Sequence, residues 1–257
     1  MLRWFQHPLT GGLSVDDPRT TELRREVLAR KPFLRRIYRE WYEAVAEAIP
    51  PPPGDALEIG SGAGFLREHV PGLITSDVLP LPGVSMVLDG ERLPFADGAL
   101  RAIAMTNVLH HIPRVREFLA EADRALRPGG AVVMVEPWNT PWSRFLYRHL
   151  HPEPFDPSAK EWEFPPRGPL SGANGALAWI VFRRDRRRFE KEFPRLAVAS
   201  VRPMMPFRYL LSGGVGYRKF MPGASFDFWR RVERALDRWR DALAMFARIV
   251  LVKSAPM

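Results

Sequence analysis

The stretch that most constrains this chain is the run Leu57, Glu58, Ile59, Gly60, Ser61, Gly62, Ala63, Gly64, Phe65. A strand-like segment, Ala56 to Ile59, meets glycines at alternate positions. Such glycines let the main chain turn sharply and approach a ligand closely, and a helix begun there aims its first amides at that ligand. A dinucleotide fingerprint needs glycine at position 65, where Phe65 stands, so the spacing argues against NAD. A turn of this kind at the first strand belongs to an open α/β sheet that binds ligands at the carboxyl ends of its strands.

The flanking sequence agrees with that architecture. Asp17 and Pro18 read as an N-cap and first helical residue, with Leu23, Val27 and Leu28 on one face until Pro32. Leu34, Ile37, Tyr38, Trp41 and Val45 mark a second amphipathic helix, which ends at the run Pro50 to Pro53 and Gly54. Beyond it, strands are expected at 56–59, 73–76, 85–88, 102–106, 131–135, 196–201 and 245–253, with helices between most of them. Helices are expected at 115–126, 176–193 and 226–243, the last with Trp229, Val232, Leu236, Trp239 and Leu243 on one face. Residues 1–53 thus read as a helical extension or lid and 54–257 as one α/β domain. Insertions fall at about 137–175, read as irregular, and 205–243.

Further acidic and polar residues fall at the strand ends. Asp77 with Val78 follows the second strand, Asp89 with Gly90 the third, and Asn107, Val108, Leu109, His110, His111 and Ile112 the fourth. Arg127, Pro128, Gly129 and Gly130 precede the fifth. In this order the segments from Ala56 to Glu136 resemble class I S-adenosylmethionine-dependent methyltransferases, closest to the type 11 branch that includes quinone-biosynthesis and other small-molecule enzymes. The resemblance implies a Rossmann-like three-layer α/β/α sandwich around a seven-stranded, mostly parallel sheet with an antiparallel last strand. It implies S-adenosylmethionine as cofactor and S-adenosylhomocysteine as product. Glu58, Gly60, Ser61, Gly62 and Gly64 would hold the methionine end, Asp77 and Val78 the ribose, and Asp89 and Gly90 the adenine, with Asn107 beside them.

A sulfonium methyl is already an activated electrophile, so the protein has mainly to align a nucleophile and exclude water. His110, His111 and Glu136 are the candidate general bases for a hydroxyl acceptor; the histidines alternatively brace their loop, and Glu136 a backbone turn. Trp138, Trp142, Arg144, Tyr147 and His149 are the candidate acceptor wall, or else a lid packed on the core. His149, His151 and Glu153 match no known ligand spacing, and no metal is expected.

The formal charge of +9 invites a polyanion partner. Yet the nucleic-acid amino-methylating members carry Asn or Asp, Pro, Pro and an aromatic where Asn107, Val108 and Leu109 stand here, and cysteine-dependent pyrimidine methylation is excluded without cysteine. The expected acceptor is small or lipid-like, methylated at oxygen or carbon, and nucleic acid is not expected. A catalytically silent cofactor-fold protein is the rival from another class. The arginines at 183, 184, 186, 187 and 188 read as a solvated face, whereas Arg24, Arg25, Arg35, Arg36 and Arg39 offer peripheral contact with an anionic membrane. Met1 to Thr10 lacks a signal-peptide pattern, and a cytoplasmic protein is the expectation.

Overall fold

The computed structural model describes residues 12–255 apart from 152, 171 and 219, so the reading of Met1 to Thr10 lies outside the described residues. Helix α1 (Pro18–Arg30) starts where Asp17 accepts the Arg19 amide, with proline in the first turn. Helix α2 (Pro32–Ala46) again opens on proline and buries Phe33, Leu34, Ile37, Trp41, Tyr42 and Val45. Then follow β1 (Asp55–Ile59), β2 (Ile74–Asp77), β3 (Met86–Val87), β4 (Leu100–Thr106), α3 (Val115–Ala125) and β5 (Leu126–Pro137). The chain continues through α4 (Pro141–Leu150), α5 (Leu177–Trp179), α6 (Arg186–Glu192) and β6 (Leu196–Met204). It closes with α7 (Arg208–Ser212), α8 (Phe226–Ala235), α9 (Arg240–Leu243) and β7 (Phe246–Lys253).

The strands form a seven-stranded sheet in the order β3-β2-β1-β4-β5-β7-β6. β7 runs antiparallel to both β5 and β6, and the remaining pairings are parallel. β4 and β5 are nearly continuous in apolar residues because both faces of the sheet are covered there. α2 belongs to the same hydrophobic core, with Trp41 stacked on Tyr209 and packed against Phe246 of β7.

The local chemistry overrides the expected pattern in three places. First, the glycine run leads into a single 3-10 turn, Leu66–Glu68, rather than a helix. Pro71 and Gly72 force the return to β2 too soon for a helix to span the sheet. Tyr42 of α2 covers this gap by packing edge-on against Phe65.

Second, 137–175 is not irregular throughout. Thr140 and Ser143 form a reciprocal capping box that starts α4, again with proline at its first position. Third, both long helices expected later in the chain are interrupted. Residues 177–192 break at a π-helical segment, Ile180–Arg184, and at Asp185, whose carboxylate accepts the Trp162 indole N–H at 2.9 Å. Residues 226–243 divide into α8, a 3-10 turn (Asp237–Trp239) and α9. The buried positions of α8 are Phe226 and Glu233, not the expected apolar stripe, because Glu233 shares with Glu40 the neutralisation of the buried Arg208.

The arginine run is a paired surface: Arg184 binds Asp185, Arg186 binds Glu190 and Arg188 binds Glu192. The basic residues of α1 and α2 are also engaged within the fold. Arg25 donates to the carbonyls of Gly62 and Pro82, Arg35 pairs with Glu68, and Arg36 pairs with Asp227.

Glu233 accepts the Phe207 and Arg208 amides as well as the Arg208 guanidinium, and Glu40 pairs with the same guanidinium at 2.8 Å, so truncating Glu233 leaves two amides unpaired and Arg208 with one counter-ion in place of two. Glu233→Ala is expected to cost about 1–3 kcal/mol in denaturant unfolding. No measurable loss would show that Glu40 and water satisfy the site without Glu233.

Candidate functional site

Where the carboxyl ends of β1, β2 and β4 meet α1, α2 and the loop after α4, they enclose a cavity of about 920 Å³. That volume is at the upper end of what ligand pockets span.

One pole of the cavity is the glycine loop. Gly60 leaves β1 with φ of 67°, and a Cβ there would sit 2.5 Å from Cγ2 of Val108. Gly62 has φ of 48°, and its amide donates to Oδ2 of Asp77 at 3.0 Å. The other Asp77 oxygen accepts the Leu79 amide at 3.0 Å. Ser61 donates its amide to Ser76 O and accepts the Ser76 amide at its hydroxyl, which locks the loop onto β2.

Glu58, at the bottom of this pole, is 3% exposed and has no ion pair among the described residues. Burial pushes its carboxyl up to about 7, against the opposing hydrogen bond from Ser61. Asp77 is raised for the same reason, partly offset by the amides of Leu79 and Gly62. Two further polar atoms at the wall, Thr106 Oγ1 and Arg24 Nε, are buried without a hydrogen-bond partner. Buried groups of this kind in a cavity are satisfied by whatever binds there.

All ten residues expected to hold the cofactor, namely Glu58, Gly60, Ser61, Gly62, Gly64, Asp77, Val78, Asp89, Gly90 and Asn107, line this one cavity. Asp89 closes an Asx turn onto the Glu91 amide at 2.9 Å, and Gly90 is packed against Ile59 and Ile112. The expected helix N-terminus is missing from the set, as the 3-10 turn after Phe65 requires.

The opposite pole gathers His110, His111, His151, Glu153, Tyr147 and Tyr209. Glu136 does not reach the cavity; it is fully buried, which corrects its expected role as a general base. One of its oxygens accepts the amides of Val108 and Leu109, both at 2.8 Å, and the other bonds His110 Nδ1 at 2.6 Å. It is a positioning residue for the loop after β4.

Burial pushes His110 down, but Glu136 and Glu153 on either side outweigh it and hold its pKa well above the ordinary value. His111 is driven the other way, by burial and by its charged neighbour His110. Glu153 lies far below the usual carboxylate range: burial alone would raise it, and the three histidines around it prevail.

The expected acceptor wall divides. Tyr147 and His149 line the cavity, whereas Trp138, Trp142 and Arg144 do not. Trp138 is buried in the core with its amide on Met245 O, the Trp142 indole donates to Pro206 O at 2.9 Å, and Arg144 donates to Asn139 at 3.1 Å. Trp138 is thus part of the core, Trp142 is half-buried against the loop after β6, and Arg144 is exposed. Sequence reading missed Thr21, Arg24, Tyr38 and Tyr42 from α1 and α2, and Tyr209 from α7. Helical periodicity marks Tyr38 as part of an apolar face without saying what that face meets, and it reads Arg24 as a surface cation.

Residues 57–134 match the family described as "Methyltransferase domain". The demethylmenaquinone methyltransferase of Beutenbergia cavernae is 28% identical over 122 residues, covering 42% of this chain and 51% of that protein. An uncharacterized 37.1 kDa protein in transposon TN4556 of Streptomyces fradiae is 44% identical over 124 residues, covering 40% of this chain and 36% of that protein. The chain thus spans about half or less of the length of these relatives.

Among solved structures, the geranyl diphosphate C-methyltransferase of Streptomyces coelicolor A3(2) superimposes with a TM-score of 0.53 at 14% identity, covering 96% of this chain and 88% of that one. That likeness shows the shared fold. The sheet order and the glycine loop agree with the match of residues 57–134 to a methyltransferase domain.

The contact between Gly60 and Val108 ties the glycine loop to the histidine loop. Gly60→Ala is expected to lower stability by about 1–3 kcal/mol through overpacking, besides the cost of φ. Adding Val108→Ala should return the steric part in a double-mutant cycle. Strict additivity of the two losses would contradict the contact.

Proposed function

We propose that this chain transfers the methyl group of S-adenosylmethionine to oxygen or carbon of a small or lipid-like acceptor. The carrying observation is Glu58: a buried carboxylate in the cavity wall without an ion pair is suited to an ammonium group. The residues fit the cofactor along the whole row of strand ends. Glu58 would take the ammonium, Arg24 the carboxylate, Asp77 the ribose hydroxyls, and Asp89 with Gly90 the adenine edge. Bound there, S-adenosylmethionine supplies an electrophilic methyl that needs only in-line approach of a nucleophile.

The remaining work falls to this chain's own side chains. The glycine loop and α1 hold the cofactor end, while Tyr38, Tyr42, Tyr147 and Tyr209, whose phenols burial keeps neutral, enclose the centre and exclude water. The acceptor's reacting atom would face His110 and His111, whose loop Glu136 fixes. A lipid-like acceptor is supported by the largely apolar wall near Leu146, Leu150, Leu210, Val215 and Phe246, and by the names of relatives such as the demethylmenaquinone enzymes. Among the described residues no helix is long and apolar enough to cross a membrane.

Two measurements test this reading. With S-adenosylmethionine labelled in its methyl group and a panel of quinols and prenylated phenols, label should pass into the organic extract. It should fall to background with Asp77→Ala; no transfer to any acceptor while the cofactor binds would leave a cofactor-binding protein without turnover.

The second concerns pH. Because Glu58 titrates near 7 in the free protein, this group's contribution to stability falls as pH rises from the ordinary carboxylate value through about 7. Only the ionised form binds an ammonium, so cofactor affinity should rise roughly eightfold between about pH 6 and 7.5. Glu58→Gln should flatten that dependence, and a wild-type affinity independent of pH would contradict the assignment.

A further inference from the structure

We propose that His110, His111 and Glu153 form a binding site for one divalent first-row transition-metal ion, such as zinc or manganese, at the acceptor pole of the cavity. The donor atoms of these three residues lie within 4.8 Å of one another. His110 Nε2 is 3.5 Å and His111 Nε2 3.9 Å from separate oxygens of Glu153. A tetrahedral ion bound at 2.0–2.1 Å holds its ligand atoms about 3.4 Å apart, so the observed spacing needs a contraction smaller than one side-chain rotamer change.

The outer shell argues for a metal more strongly than the distances do. Each imidazole has its Nδ1 engaged away from the cavity, His110 by the Glu136 carboxylate at 2.6 Å and His111 by the Gly172 carbonyl at 3.3 Å. A histidine whose Nδ1–H is donated to a carboxylate or carbonyl presents Nε2 as the ligand atom, and metal-binding histidines are oriented in this way. Both Nε2 atoms here turn to the same carboxylate.

The third ligand is held as firmly. The Asn174 amide donates to His110 O at 2.9 Å and the Gly175 amide to Pro154 O at 2.9 Å, so the segment carrying Glu153 is tied back to the histidine loop. His151 stays outside the set, since its Nδ1 accepts the Glu153 amide.

Two histidines and one carboxylate select borderline ions such as Zn²⁺, Fe²⁺ or Mn²⁺ over Ca²⁺ and Mg²⁺, which prefer all-oxygen sets. A bound ion would lie between His110 Nε2 and the Glu153 carboxylate, 3.5 Å apart at the cavity wall, in place of a proton on that nitrogen. There it would accept an acceptor oxygen as a further ligand. That last role rests on the methyl-transfer reading above; binding of the ion does not.

The sequence offers His149, His151 and Glu153 as its only metal candidates, and the expectation drawn from their spacing is no metal. The fold, not the spacing, brings His110, His111 and Glu153 together.

The test is calorimetric titration of the chelator-treated full chain with Zn²⁺ and Mg²⁺, and with Co²⁺ followed by visible absorption. We expect one Zn²⁺ or Co²⁺ per chain with weaker or no Mg²⁺ binding. His111→Ala and Glu153→Gln should weaken Zn²⁺ binding by more than about tenfold, and Glu136→Gln by about tenfold or more through the outer shell. His149→Ala, in the same cavity wall but outside the set, should leave it unchanged.

Absence of saturable one-to-one binding, or equal affinity in the triad variants, overturns the proposal and leaves a hydrogen-bonded histidine cluster. Should the variants lose their fold, imidazole ¹⁵N resonances of the unmodified protein decide instead. Zn²⁺ must shift the Nε2 signals of two histidines, and unchanged signals overturn the site. S-adenosylmethionine titrated into the same preparations reports separately on the cofactor pole.

Discussion

One buried carboxylate governs the shape of both halves of the cavity. Glu136 ends its strand beyond the reach of solvent, a position tolerable only because its oxygens are saturated by the Val108 and Leu109 amides and by His110. These bonds set the path of the chain leaving β4. That path in turn brings Val108 against Gly60, where only a hydrogen fits, and presents both imidazoles to the opposite wall. The glycine loop and the histidine loop therefore meet through a single hydrogen-bonded node.

Around that node the cavity divides by chemistry. Acidic groups lie along the ends of β1, β2 and β3, where Glu58, Asp77 and Asp89 form a row suited to a ligand rich in donors and positive charge. Past Thr106 and Asn107 the wall changes to imidazoles, phenols and aliphatic side chains. The electrostatics thus favour a charged, hydrogen-bonding molecule at one end and a mostly apolar one at the other. The two helices ahead of the sheet complete the enclosure: Arg25 ties α1 to the glycine loop, and Tyr42 fills the space left by the helix that the loop does not start.

Much of this was legible in the sequence because it depended on local rules. Glycine spacing marked the loop, Asp17 before Pro18 marked the first cap, and short apolar runs marked all seven strands within a few residues. What escaped had tertiary causes. Glu136 looks like a strand-end base until its three donors are seen, and the apolar stripe over 226–243 hides that Glu233 is buried to neutralise Arg208. Trp138, Trp142 and Arg144 share composition with a ligand wall, yet Trp138 packs in the core, Trp142 bonds the Pro206 carbonyl and Arg144 is exposed beside Asn139. Glu153 approaches the histidine pair only because α4 carries the chain out and the Asn174 and Pro154 bonds bring it back. No pattern within the sequence encodes that distance.

The central claim is that the row of strand-end carboxylates binds a sulfonium nucleoside. Isothermal titration of the unmodified protein with S-adenosylhomocysteine, with NAD as comparison, tests it most directly. The account predicts one site per chain for S-adenosylhomocysteine and no heat from NAD. Saturable NAD binding, or none by S-adenosylhomocysteine to folded protein, would contradict it.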